Sequence, residues 1–453
     1  MDLISDLPDA VIHNIFSFLP LEDVVKTSVL SKRWRSTWTT TPYLVFDEKI
    51  AQRVEKIAKR VGRDTFPSFV DSILRRCTSP ALKRFHVADL WSDLWLEPWL
   101  SFAEERRVED FRLSYYLMPF FGLPRSLYRL SWVVSLQVSS CRLSLGADGT
   151  ISWPRLKVLS VKDAMLSDHV LEGILSGSPL LESLELCECR GINSIIIDAK
   201  SVKELVLIGV TFFNVENIQA PHLLSLRVSG TWYPYSKFRL GDISSLVKAQ
   251  LYFSFETDDK KILGDFVEEL FEKLCGVRTI IINDWCLQVL SLLEMEGVQF
   301  PFLKCQNLIL HAAVSQWDLP GIAYMLRSSQ CLEKLYILQT GNCYLKLKLD
   351  KESEKRFNFD EEDFLWSRKG NFQCLAKHLK RVKITGLEAQ SFRLKYLLAL
   401  IKFILGETLV LEKMIINGRK HLQASELLGV HQNICSYQRA CRSAEVNLEG
   451  FFC

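Results

Sequence analysis

Two hydrophobic rhythms divide the chain. The first runs through residues 10–19, AVIHNIFSFL. On a 3.6-residue helix Ala10, His13, Asn14 and Ser17 fall on one side, and Val11, Ile12, Ile15, Phe16, Phe18 and Leu19 cover the rest. That apolar arc spans roughly 160°, against about 100° for a helix facing a single core. Part of it can pack on neighbouring helices, and the remainder asks for a second partner. Pro8 suits a first helical turn, and Pro20 stops this helix or opens the link to the next. Glu22 and Asp23 mark the start of a second helix, where acidic side chains meet the positive end of the dipole. Val24, Val25, Val29 and Leu30 supply its apolar contacts. Ser31 reads as the N-cap of a third short helix with Trp34 and Trp38 one turn apart. The same pattern also fits the N-terminal cap of a larger helical fold.

The second rhythm begins at residue 82 and has the form apolar-x-x-apolar-x-apolar. It recurs at Leu82/Phe85/Val87, Val108/Phe111/Leu113, Val133/Leu136/Val138, Leu156/Leu159/Val161, Leu181/Leu184/Leu186, Val202/Leu205/Leu207 and Leu223/Leu226/Val228, with a degenerate copy at Leu246/Ala249/Leu251. Successive starts lie 21 to 26 residues apart. Such a period predicts a leucine-rich solenoid, each unit giving one short strand whose inward side chains stack on those of its neighbours. Cys141 and Cys189 occupy the position where the chain turns off the strand, which in this repeat type is often a buried Asn or Cys.

A longer unit places a helix before the strand. Leu175 to Leu181, Phe271 to Val277, Leu326 to Leu332 and Leu405 to Leu411 share one spacing between a helical apolar pair and the strand motif. Residues 72–87 carry the same unit with a short insertion. Neither element can bury its apolar face alone, so the units must stack. After residue 250 the spacing loosens, with further motifs at Val277/Ile280/Ile282, Cys305/Leu308/Leu310, Leu332/Leu335/Ile337, Leu379/Val382/Ile384 and Leu411/Met414/Ile416. The polar stretch from Gly341 to Gly370, which includes KESEKRFNFDEED, is expected to be a solvated loop.

The first 40 or so residues resemble a known module. LPDAVIHNIFSFLPLEDVVKTSVLSKRWRSTW looks like an F-box, in the form found in plant F-box proteins. The pairs Leu7-Pro8 and Leu19-Pro20, the SVLSKRWR run and the spacing between them carry the match. The resemblance implies docking on a Skp-type adaptor, which links an F-box to a cullin ubiquitin ligase. By that resemblance Leu7, Pro8, Ile12, Ile15, Leu19, Pro20, Val24, Leu30 and Trp34 are the candidate adaptor contacts, a set in which docking and helix-packing positions are not separated. Residues 374–418, ending in LEKMIING, are similar to the FBD domain that closes many plant F-box/leucine-rich-repeat proteins. The tail from Arg419 departs from that pattern.

Composition narrows the function. The chain has 453 residues, 48% hydrophobic and 24% charged, with 56 basic and 53 acidic residues and a net charge of +3. A globular protein is expected, with no whole-chain field toward nucleic acid or membrane. The N-terminus lacks the pattern of a secretory signal, and the most apolar run, residues 396–411, is broken by Lys402, Gly406 and Glu407. The expected setting is cytoplasmic or nuclear. The 13 cysteines show no CxxC spacing, so most read as reduced, buried small residues.

No motif argues for catalysis: GxSxG, GxxxxGK[ST] and GxGxxG are absent, and the eight histidines are isolated. The acidic cluster Asp360 to Asp363 could attract a cation, but a solvated loop explains it as well. SKRWR and LKRVK are too short to argue for a nucleic-acid surface. Two aromatic groups, residues 91–99 and 232–238, follow strand motifs, where a solenoid presents a rim. Trp95, Trp99, Trp232 and Tyr235 are therefore the candidate target contacts.

The sequence thus predicts an α+β protein: a three-helix F-box (1–45), a leucine-rich-repeat solenoid or horseshoe (46–365), and an FBD-like strand-helix-strand end (366–453). The expected role is the substrate-recognition subunit of a Skp-cullin-F-box ubiquitin ligase, without catalytic residues, metal or cofactor of its own. Its partners would be the adaptor, through it a cullin, and a target protein, with no nucleic acid and no membrane. An interaction scaffold whose F-box enters no ligase is the alternative.

Overall fold

The computed structural model describes residues 7–61, 66–90, 94–115, 122–145, 150–211, 215–257, 259–298, 301–340, 351–368, 372–387, 394–418 and 424–449. The start of the F-box-like segment, part of the polar stretch (341–350) and residues 419–423 lie outside them. The chain forms two compact units, 1–209 and 210–453.

The first unit opens with helices α1 (Asp9–Phe16), α2 (Leu21–Lys26) and α3 (Trp34–Thr37). Pro8 and Pro20 each sit one residue before a helix, as its N-cap rather than within its first turn. The Pro8 carbonyl accepts hydrogen bonds from Val11 and Ile12, and the Pro20 carbonyl from Asp23 and Val24. Proline's missing N–H costs nothing at such a position. The N-cap position of the third helix falls on Arg33 rather than on Ser31, whose Oγ still accepts the Trp34 N–H at 3.3 Å. Ile12, Phe16, Leu21, Val24, Trp34 and Trp38 form the buried seam.

Parallel strands follow at Tyr43–Phe46, Arg84–Leu90, Asp110–Tyr115, Ser135–Ser139, Val158–Lys162, Ser183–Cys187 and Glu204–Thr211. Their register places Leu44, Phe85, Phe111, Leu136, Leu159, Leu184 and Leu205 in one row, and Phe46, Val87, Leu113, Val138, Val161, Leu186 and Leu207 in the next. All of these are buried. The last two positions of each repeat motif thus supply one side chain per strand to two continuous apolar ladders. Ser140, Asp163 and Glu188 leave three successive strands through the same left-handed turn, at φ 55°, 44° and 53°. The equivalent residue of the following strand is Gly209, at φ 65°, the residue type that adopts this conformation without steric cost. Next in chain, Cys141 is buried and the Cys189 thiol donates to the Val161 carbonyl at 3.3 Å, as the repeat pattern predicts.

Helices Phe66–Leu74 and Asp168–Gly177 stand where the helix-before-strand pattern placed them. Leu96–Glu105 was not foreseen as a helix. It takes up the end of the 91–99 aromatic group and turns Trp99 inward.

In the second unit the strands are Ser225–Trp232, Lys248–Phe255, Thr279–Asn283, Asn307–His311, Lys334–Leu338, Arg381–Leu387, Lys413–Gly418 and Glu445–Glu449. All pair in parallel, and one buried row runs Leu226, Ala249, Ile280, Leu308, Leu335, Val382 and Met414, with half-buried Val446 continuing it on the edge strand. The degenerate motif at Ala249 is a full member of the row. Helices Lys260–Lys273, Asp284–Glu296, Leu319–Ser328 and Leu394–Glu407 accompany the strands. No helix among the described residues is long and apolar enough to cross a membrane.

Two expectations change here. The described part of the polar stretch is not a loop: it forms helices Lys351–Arg356 and Glu361–Trp366, which bury Phe357, Phe364 and Leu365. Its mixed charges hid a short amphipathic element. The tail, where helix signal is weak, forms helix Ala424–Ser436 and the strand Glu445–Glu449, which pairs along the edge of Lys413–Gly418.

Candidate functional site

The wide apolar arc of α1 divides in two. Ile12 and Phe16 turn inward at 0% and 1% exposure, while Val11 and Ile15, one turn apart, stay 42% and 38% exposed. The turn that follows adds Phe18 at 81% and Leu19 at 38%. Phe16 fixes this orientation by meeting Trp34 of α3 edge-to-face, with ring centroids 5.7 Å apart. His13 reaches Thr40, its Nε2 lying 3.0 Å from the hydroxyl oxygen, and Asp9 pairs with Arg33 at 2.5 Å. Burial holds the His13 pKa below its ordinary value, against a smaller upward pull from Asp9.

After α2 a single 3₁₀ turn, Thr27–Val29, presents Val29 and Leu30 at 85% and 60% exposure. Sequence pattern assigned both to packing of the second helix. They fail to pack because the α-helix stops at Lys26. Burying one such side chain fully is worth roughly 1.5–3 kcal/mol. Association costs an estimated 4–15 kcal/mol, so two exposed side chains would not carry a partner, whereas six can.

The expected adaptor residues therefore separate. Ile12, Val24 and Trp34 are buried and hold the module together. Ile15, Leu19, Pro20, Leu30 and Pro8 are exposed, and Leu7 is half-buried. Val11, Phe18 and Val29 belong with the exposed group, although the sequence did not single them out. Their hydrophobicity was legible, but the phase of each helix against its neighbours was not.

The candidate target residues separate as well. Trp99, at 1% exposure, is a core residue of helix Leu96–Glu105. Trp232, at 3%, packs against Phe266 with ring centroids 4.7 Å apart. Both were expected at a rim and are instead interior, because Trp99 lies on the buried side of its helix and Trp232 ends its strand against Phe255 and Phe266. Trp95 is half-buried at the N-cap of its helix, and Tyr235 is 81% exposed.

The acidic cluster is accounted for by structure. Asp360 caps helix Glu361–Trp366 by accepting from the N–H groups of Glu362 and Asp363, both at 3.0 Å. Glu361 and Glu362 pair with Lys395 and Lys402 at 3.0 and 2.6 Å. Among the described residues no group of histidine, cysteine and acidic side chains is arranged to hold a metal. Burial pushes the thiols of Cys141, Cys189, Cys286, Cys305 and Cys374 up to about 12, leaving them without nucleophilic character at neutral pH.

Each unit also has a hollow on the sheet face opposite its apolar ladders. In the first, about 410 Å³ is lined by Val45, His86, Arg112 and Gln137 on adjacent strands. His86 contacts Asp110 there at 2.9 Å. Burial pushes the Asp110 carboxyl up, but His86 and Arg112 together hold it below the usual carboxylate range. In the second, about 620 Å³ is lined by Ile309, Tyr336, Leu338, Arg381, Lys383 and Lys413, among others.

Comparison with known proteins fits this arrangement. Residues 4–45 match the F-box domain, and residues 96–245 match the leucine-rich repeats of an FBD-associated F-box protein, At5g56370. F-box/LRR-repeat protein At3g03360 of Arabidopsis thaliana is 34% identical over 356 residues, covering 75% of this chain and 71% of the relative. F-box/LRR-repeat protein At5g02910 of the same plant is 33% identical over 354 residues, covering 74% and 72%.

The chain belongs to the F-box/LRR-repeat family.

Another Arabidopsis thaliana relative, F-box protein At5g03100, is 30% identical over 320 residues and is covered over 96% of its own length. In this F-box/LRR-repeat chain the F-box match ends at the third residue of the strand Tyr43–Phe46. The module is therefore tied directly to the first rung of the sheet.

Proposed function

We propose that this F-box/LRR-repeat chain is the substrate-recognition subunit of a Skp-cullin-F-box ubiquitin ligase. The apolar face of its N-terminal module docks on a Skp-type adaptor, and its repeats hold a target protein. One observation carries the reading: Val11, Ile15, Phe18, Leu19, Val29 and Leu30 remain exposed after the module has closed its own core around Trp34. The chain performs no chemistry in this account. Holding a target beside the ubiquitin-carrying subunits raises the effective concentration of the two reactants.

The test is affinity purification of the full chain with the proteasome blocked. Adaptor and cullin should co-purify, together with a ubiquitin-conjugated protein. The doubly substituted Leu7→Ala/Pro8→Ala chain should lose the adaptor and retain folded repeats. Purification of the wild-type chain with bound proteins but no adaptor or cullin would favour a scaffold outside any ligase.

A further inference from the structure

The open face of the second unit carries an unusual row. Lys334, Arg381 and Lys413 are direct register partners on three adjacent parallel strands. Adjacent strands lie about 4.8 Å apart, so three cations stand side by side over roughly 10 Å. Like charges opposite one another across strands destabilise a sheet. Two of them have partial relief, Arg381 from Glu412 at 3.9 Å and Lys413 from Glu445 at 3.2 Å. Lys334 has no ion-pair partner among the described residues, nor has Lys383, which lies two positions beyond Arg381 on the same strand face.

Directly beside this row most outward positions turn apolar. Ile309, Tyr336, Lys383 and Ile415 are consecutive register partners, Lys383 being the one charged residue among them, and Leu338 follows Tyr336 on its strand. All are half-buried. Together they floor the hollow of about 620 Å³, with Arg381 and Lys413 along its side. A merely solvated strand face would carry polar residues at these positions, since antiparallel and solenoid sheets alike put apolar side chains where something covers them.

We infer that this hollow binds an extended acidic segment of the target protein, seating one apolar side chain on Ile309, Tyr336 and Ile415 and setting flanking carboxylates against the lysine–arginine row. The inference rests on the reading of the repeats as the target-binding part and names the chemistry of what they hold. Separate carboxylates fit better than a single phosphate. The cations are spread across two strand spacings, and only Arg381 offers the two-pronged guanidinium suited to one compact dianion.

The experiment uses the full chain, an array of ten-residue peptides with a central Leu, Ile or Phe, and flanks of Asp/Glu, Lys/Arg, Ser or phosphoserine. Wild-type protein should bind the acidic-flanked peptides at least tenfold more strongly than the basic-flanked ones, with binding falling as salt rises. Lys334→Glu with Lys383→Glu should reverse that order, and Ile415→Ser should weaken the acidic peptides without reversing it. All variants should still capture the adaptor, which separates failure of this site from failure of the ligase reading. Equal binding to acidic and basic flanks, a preference kept after charge reversal, or binding only to phosphoserine peptides would each overturn the inference. Should the charge-reversed chain misfold, Lys383→Gln alone, expected to cost several-fold, decides the matter by the same comparison.

Discussion

Phe16 and Trp34 meet edge-to-face, with ring planes at 73°, and through them the first helix of the F-box is fastened to the third. The contact buries one flank of α1 and thereby commits the other, carrying Val11 and Ile15, to the surface. Packing takes one stripe of the helix and leaves its neighbour free for the proposed docking.

That division predicts opposite outcomes for two substitutions of aromatic residues. Trp34→Ala removes a buried ring and should lower stability by about 3–5 kcal/mol. Phe18→Ser removes one exposed at 81% and should move stability by less than about 0.5 kcal/mol while weakening adaptor binding at least tenfold. Denaturant unfolding and adaptor titration of the two variants check both halves.

Gly321 sets a second contest. It lies in helix Leu319–Ser328, where alanine would ordinarily be worth up to about 1 kcal/mol. An added Cβ would run into the Leu287 carbonyl and meet the Ser291 hydroxyl oxygen at 2.7 Å. That hydroxyl accepts the Gly321 N–H at 2.7 Å, so the backbone of one helix sits directly on a side chain of the other. Overpacking costs of about 1–3 kcal/mol outweigh the propensity gain, and Gly321→Ala should lower the unfolding midpoint.

The repeat motif was legible because its last two positions are obligatory core positions. Each described strand that was read from the motif buries both of them, down to the degenerate Ala249. The first strand escaped because Thr41 stands where the motif has an apolar residue. Thr41 is nonetheless fully buried, its hydroxyl accepting the Tyr43 N–H at 3.3 Å. The last strand escaped because it follows a tail with little helix signal, and its pairing with Lys413–Gly418 is a tertiary fact. At the proposed docking face hydrophobicity was readable and orientation was not: Ile12 and Ile15 look alike in sequence, yet one is buried and the other exposed.

The last strand gives a further prediction. Deleting residues after Gly418 removes Glu445–Glu449 and leaves Lys413–Gly418 as a bare edge, with Met414 and Ile416 uncovered. Such edges template association. The truncated chain should lose its monomeric peak in size-exclusion chromatography at concentrations where the full chain keeps it.

His13 makes the F-box sensitive to acid. Its folded pKa lies below the ordinary value of about 6.5, so the folded module disfavours the protonated ring. The unfolded chain binds the proton more readily, and the stabilising contribution is present above about pH 6.5 and is lost as pH falls through the lowered folded value. Unfolding midpoints measured between pH 7.5 and 5 should fall more steeply for wild type than for His13→Gln, which cannot titrate and still reaches Thr40.

The central claim is that the exposed side chains of the F-box are covered by a Skp-type adaptor. Light scattering coupled to size-exclusion chromatography of the full chain mixed with purified adaptor measures this directly. The account predicts a one-to-one complex for wild type, lost by Val29→Ser/Leu30→Ser at an unchanged unfolding midpoint. No complex with wild type, or a complex indifferent to that double substitution, would contradict it.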